Sequence, residues 1–180
     1  DALRALVATA LRLANLRKGG AFYLASPQGP HHATFLGAVA DAQLDVRQTL
    51  IWVKDRFVMG RSDYHYRHEP ILYGWKEGAA HYFPDQKYEA DVWEIKRRAS
   101  NTMAHPTQKP IELVGRAIRN GCKREDIVLD LFGGSGSTLI AAERENRRAY
   151  LMELDPKYCD VIIKRWEKFT GKKAEIKRSG

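Results

Sequence analysis

Apolar positions near the start of the chain recur at Leu3, Leu6, Val7, Ala10, Leu13 and Ala14, the spacing of a helix with one apolar face over residues 2–16. Gly19-Gly20 ends it, and Ala21-Phe22-Tyr23-Leu24-Ala25 reads as a buried strand. After a turn at Pro27–Pro30, Phe35, Leu36 and Val39 mark one face of a helix over 32–43. Apolar runs predict strands at 46–53 and 70–75. Residues 54–67 and 77–104 are different: polar, aromatic and basic, with little periodicity. A connector of 28 residues is long for a simple link, and loops of that size tend to carry function. Regular patterning returns at Pro110, which suits the first turn of a helix that Gly121 stops. Strand 127–131, helix 137–145, strand 149–153 and helix 156–169 follow, then a basic tail from Lys172. This alternation predicts an α/β fold with a mostly parallel sheet and helices on both faces.

Composition narrows the class only slightly. At 180 residues, 44% apolar and 29% charged, the chain is expected to form one globular domain. No apolar run approaches the ~18 residues of a membrane span, and a cytoplasmic location is expected. Cys122 and Cys159 are the only cysteines and have no metal-ligand spacing, so a disulfide and a metal site are not expected. The net charge of +8 suits a polyanionic partner and argues against an acidic one.

The most informative stretch is 127–153. An apolar strand runs into Asp130-Leu131-Phe132, and Gly133-Gly134-Ser135-Gly136 turns into a helix. Glycines there allow positive φ and close approach of a ligand to the backbone, with a helix N-terminus behind. A second strand ends in Glu153, 17 positions after Gly136, where an acidic side chain can hold ribose hydroxyls. The unit is built for a nucleoside-bearing cofactor. Leu139 stands where the dinucleotide fingerprint needs its third glycine, and no phosphate-loop lysine motif is present.

The string D-L-F-G-G-S-G-S-T, followed by M-E-L-D-P-K-Y-C, resembles the S-adenosylmethionine motifs of DNA amino-methyltransferases. H-P-T-Q-K-P at 105–110 resembles the segment preceding the cofactor strand in that family. The resemblance implies a Rossmann-like methyltransferase fold and S-adenosyl-L-methionine as cofactor. It places Asp130, Phe132, Gly134, Gly136 and Glu153 around the methionine and ribose parts, and Leu154 and Asp155 beside the adenine. Thr107 and Gln108 would meet the methionine carboxylate and amine. Because the cofactor motifs come last, the order resembles the β class of the family, and the likeness extends from residue 2 to about 173. It divides the chain into a target-base half (1–76), a target-recognition insertion (77–104), a cofactor half (105–171) and a tail (172–180).

One family element is absent. No D-P-P-Y string occurs, and Ser26-Pro27 is a poor substitute that follows the wrong strand, so no catalytic residue is assigned. In the family that motif ends a central strand. We therefore expect a sheet lacking a central strand, with the missing piece N-terminal to residue 1 and this fragment inactive alone. The 127–131 and 21–25 strands should then remain unpaired with each other. For DNA, the resemblance and the mixture of cations and rings point to Lys54, Arg56, Arg61, Tyr64, Arg67, Lys96, Arg97 and Arg98, with Lys87, Tyr88 and Trp93 as further members. The expected activity is methylation of adenine N6 in double-stranded DNA, within a restriction-modification setting. Cytosine N4, or a non-catalytic cofactor- and DNA-binding relative, is the alternative. Homodimers are compatible with the resemblance.

Overall fold

The computed structural model describes residues 1–61, 63–84, 88–97 and 108–177. In chain order the elements are α1 (Ala2–Leu13), β1 (Ala21–Ala25), α2 (Pro30–Asp41), β2 (Asp45–Val58), β3 (Tyr66–Trp75), β4 (Val92–Glu94), α3 (Ile111–Gly121), β5 (Ile127–Asp130), α4 (Ser137–Arg144), β6 (Arg148–Leu151) and α5 (Pro156–Thr170). Local chemistry sets several boundaries. Asp1 caps α1 by accepting from the Leu3 amide, Pro30 and Pro156 open α2 and α5, and Asp155 caps α5 through the Lys157 amide.

The strands form two sheets, β1-β3-β2-β4 and β5-β6. Among the described residues, parallel pairing is confined to β2–β4 and β5–β6. β3 returns from β2 through a short hairpin and so runs antiparallel to it, and also to β1 on its other side. The β2–β3 hairpin extends past the region predicted from sequence, because its outer residues are exposed and show no alternation to read. β4, inside the polar insertion, pairs with Ile51–Val53 and places Trp93 in the core at 2% exposure. Trp93 is therefore a core residue and not a platform for a base, contrary to expectation.

Helix α3 joins the two sheets. Its Leu113 and Ala117 pack with Leu50, Trp52, Ile71, Tyr73 and Trp93 of the first. Ile111, Val114 and Ile118 pack with α4 and with Val128 and Ala149 of the second. Each fully buried aliphatic side chain contributes about 1.5–3 kcal/mol, so this two-faced helix is a main link across the fold. Arg116 adds a paired contact to Glu89 of the insertion, 2.9 and 2.7 Å, and lies over the Trp93 ring. Arg17 reaches Asp126 at 3.3 Å.

Strand β1 has one lateral partner, β3, and β5 has one, β6, among the described residues; the two are not hydrogen-bonded to each other. On the face of the small sheet away from Val128 and Ala149, Ile127, Leu129, Tyr150 and Met152 are exposed. A parallel sheet of this kind is ordinarily covered on both faces.

Candidate cofactor site

The carboxyl ends of β5 and β6 lie side by side, with Asp130 opposite Leu151. In open α/β sheets this is where ligands bind. Gly133 turns the chain by donating to the Met152 carbonyl at 2.8 Å, and the Gly136 amide closes the turn onto the Gly133 carbonyl. Gly134 and Gly136 take φ of 53° and 78°, the left-handed region in which a side chain is strained. At Gly136 a Cβ would also press within 3.0 Å of Ile162. At Gly134 the nearest atom to such a Cβ is the Phe132 carbonyl at 3.8 Å, so the space over that backbone is open.

Two carboxylates shape the loop. Asp130 accepts from the Phe132 amide at 3.0 Å and from the Thr138 hydroxyl at 2.5 Å, fixing the start of α4. Glu153 accepts from the Gly134 amide at 2.6 Å and from the Asp155 amide at 2.9 Å, spanning from the end of β6 to the glycine turn. Around them Phe132 and Leu154 stand 57% and 98% exposed, large apolar groups at the mouth of a polar turn. Arg165 donates to the Ser135 carbonyl and holds the loop from α5.

The structure thus brings Asp130, Phe132, Gly134, Gly136, Glu153, Leu154 and Asp155 to one place. Asp155 has a second occupation as the cap of α5. Gln108 is buried, and the carbonyl of the residue after it, Lys109, accepts from the Ser137 hydroxyl at the first residue of α4, 2.9 Å. Thr107 lies outside the described residues. Ser137 and Thr138 were not singled out from sequence; their signal was the S-T pair directly after the glycine turn.

The residues expected to read DNA divide. Arg56, Arg61, Tyr64 and Arg67 are exposed on the outer part of the β2–β3 hairpin, with Tyr64 90% exposed. Phe57 and His65 stack there at 5.3 Å. Lys96 is exposed, and the Arg97 amide is held by Asp55 at 3.0 Å. Arg98 and Lys87 lie outside the described residues. Lys54 departs from expectation. Its side chain is 6% exposed and its ammonium meets Glu69 at 2.6 Å, so it points inward and is not offered to a phosphate. Lys109 meets the other oxygen of Glu69 at 3.1 Å. Burial alone pushes the Glu69 carboxyl up, but the two ammonium groups outweigh it and hold it below the ordinary carboxylate value. The pairing is therefore present at neutral pH and lost only as pH falls through that depressed value.

Residues 6–165 match the family model described as DNA methylase, the N6/N4 methyltransferase model, and the chain belongs to that family. The Type II methyltransferase M2.DpnII of Streptococcus pneumoniae is 31% identical over 137 residues, which cover 68% of this chain and 51% of the relative. The chain thus spans about half the length of that relative. TTHA0409 of Thermus thermophilus, solved with S-adenosyl-L-methionine, superposes with a TM-score of 0.70 at 26% identity, covering 94% of this chain and 76% of that one. The PvuII DNA methyltransferase, cytosine-N4-specific, shares the fold with a TM-score of 0.73 at 16% identity, covering 91% and 72%. Among the described residues no helix is long and apolar enough to cross a membrane.

Proposed function

We propose that this chain is the cofactor-binding and target-reading part of a DNA methyltransferase that acts on the exocyclic N6 of adenine in duplex DNA. The observation that carries the cofactor half is Glu153, whose carboxylate sits between the Gly134 and Asp155 amides at the carboxyl ends of β5 and β6. S-adenosyl-L-methionine supplies an electrophilic methyl group on a sulfonium. On this reading Glu153 accepts from the ribose hydroxyls, and Gly134 lets the backbone come close to the ligand. Phe132 covers the methionine side, Leu154 and Asp155 border the adenine, and Thr107 and Gln108 hold the amino-acid end. Transfer to a base amine then needs an acceptor for its proton and a stack for the flipped base. Neither is assigned in these residues. Among the described residues, the edges of β1 and β5 that carry no strand and the exposed face of β5–β6 support a further strand between them, carrying a D-P-P-Y type motif. The cytosine-N4 alternative stays open because a cytosine-N4 enzyme has the same fold.

The test is direct. The 180-residue chain should bind S-adenosyl-L-methionine by calorimetry yet transfer no labelled methyl to unmethylated duplex DNA, whereas the full-length gene product should transfer it. Nucleoside mass spectrometry of that product should give N6-methyladenine; N4-methylcytosine would select the alternative. Failure of the chain to bind the cofactor would defeat the proposal.

The hairpin supplies a second expectation. Arg56 and Arg61 extend from an exposed arm, and each phosphate contact adds about one to the salt dependence of DNA binding. Replacing both by alanine should weaken DNA binding across sequences and reduce the slope of log affinity against log salt by about two, read by fluorescence anisotropy. An unchanged slope would place the DNA elsewhere.

A further inference from the structure

Two chains of contact meet at one carboxylate. From the target side, Glu69 of β3 stands across from Trp52 of β2, and its Oε1 takes the buried Lys54 ammonium at 2.6 Å. Arg67, on the exposed hairpin, donates to the Lys54 carbonyl at 3.0 Å. From the cofactor side, Glu69 Oε2 takes the Lys109 ammonium at 3.1 Å. The Lys109 carbonyl in turn accepts from the Ser137 hydroxyl, directly after Gly136. Both ammonium groups lie over the face of the buried Trp52 ring, 5.3 and 6.0 Å from its centroid. The ring lies under both cations, and its own N–H is held by the Ile95 carbonyl at 2.7 Å.

This arrangement does more than satisfy charge. An exposed lysine beginning a helix would be free to swing, and its backbone would be fixed only by the helix that follows. Here Lys109 is held at both ends: its ammonium by β3, its carbonyl by the first residue of α4. Gln108, buried immediately before it, is joined to this clamp through the backbone. A second lysine on the same carboxylate also matters: Lys54 on Oε1 leaves Glu69 with a paired cation when Lys109 is removed from Oε2.

We propose that Glu69 is a positioning residue, which through Lys109 holds Gln108 against the glycine loop and so sets the grip on the amino-acid end of the cofactor. The inference rests on the cofactor reading above. It assigns to a β3 residue, outside the glycine loop and the segments next to it, control over one end of the ligand only. The ribose and adenine end, held by Glu153 and its neighbours, is independent of it.

That division gives the test. Affinities of the wild-type chain and of Glu69→Gln are measured by calorimetry for S-adenosyl-L-methionine and, by competition, for 5′-methylthioadenosine, which lacks the amino-acid end. Glu69→Gln should lose about tenfold for the full cofactor and less than about twofold for the truncated ligand. Lys109→Met leaves Glu69 paired with Lys54, which avoids a buried unpaired carboxylate, and should reproduce the selective loss. It keeps the test decisive if Glu69→Gln folds poorly. Equal losses for both ligands, or none for either, in a folded variant would overturn the proposal and leave the cluster a packing feature. A wild-type chain that binds neither ligand would instead defeat the cofactor reading itself, and this inference with it.

Discussion

Replacing Glu153 with alanine is expected to weaken S-adenosyl-L-methionine binding by about a hundredfold while leaving the fold nearly intact. A carboxylate hydrogen-bonded to a ligand hydroxyl contributes about 1.5–3 kcal/mol, and two such bonds to one ribose would exceed the roughly 2.7 kcal/mol that a hundredfold represents. The lower figure is the better expectation, because the wild-type carboxylate already accepts from the Gly134 and Asp155 amides and must share its lone pairs. Those amides lie in a partly exposed turn, where water replaces the lost acceptor, so the stability cost should be about 1 kcal/mol. For a chain of this length that is a shift of only about 2–4 °C in Tm. Calorimetric affinity and a thermal scan on the same sample separate the two effects. An unchanged affinity would show that the ribose is held elsewhere, and a collapse of Tm would show that Glu153 is chiefly a loop brace.

That the glycine turn and Glu153 were legible in the sequence has a simple cause. Their chemistry is local: a strand, a turn needing positive φ, a helix start, and an acid at the end of the next strand all lie within 127–153. Helix boundaries were readable for the same reason, from Pro110 and Pro156 near the starts and Gly121 near an end. Lys54 was not. Among Trp52, Arg56 and Arg61 it has the texture of a surface cation, and its ion pair is with Glu69, which only the hairpin brings near, across from Trp52. β4 was hidden because three residues in a polar stretch carry one inward side chain, Trp93, too little for any period to show. The antiparallel course of β3 follows from a hairpin whose arm is exposed on both sides, where alternation fades although pairing continues. In each case the missing information was a partner far along the chain.

Trp52→Ala should carry the largest stability loss, about 3–5 kcal/mol, the cost of truncating a large aromatic in a packed core. Trp52 is 2% exposed and lies among Leu50, Ile71, Tyr73, Trp93 and Leu113. Alanine would leave a cavity against α3, the helix that joins the two sheets, and would strand the Ile95 carbonyl that the indole N–H now satisfies. It would also remove the ring beneath two cations, leaving Lys54 and Lys109 beside Glu69 without their apolar floor. Trp52→Phe separates these contributions. It keeps an aromatic ring but loses the N–H and the pyrrole part of the indole, so at least the roughly 1–3 kcal/mol of a buried acceptor left without its donor should go, with a smaller cavity than alanine leaves. Urea denaturation measures both variants, with an unchanged slope as the sign that the same surface unfolds. An alanine variant within about 1 kcal/mol of wild type, far below the cost of a core aromatic, would mean that the first sheet holds without its centre.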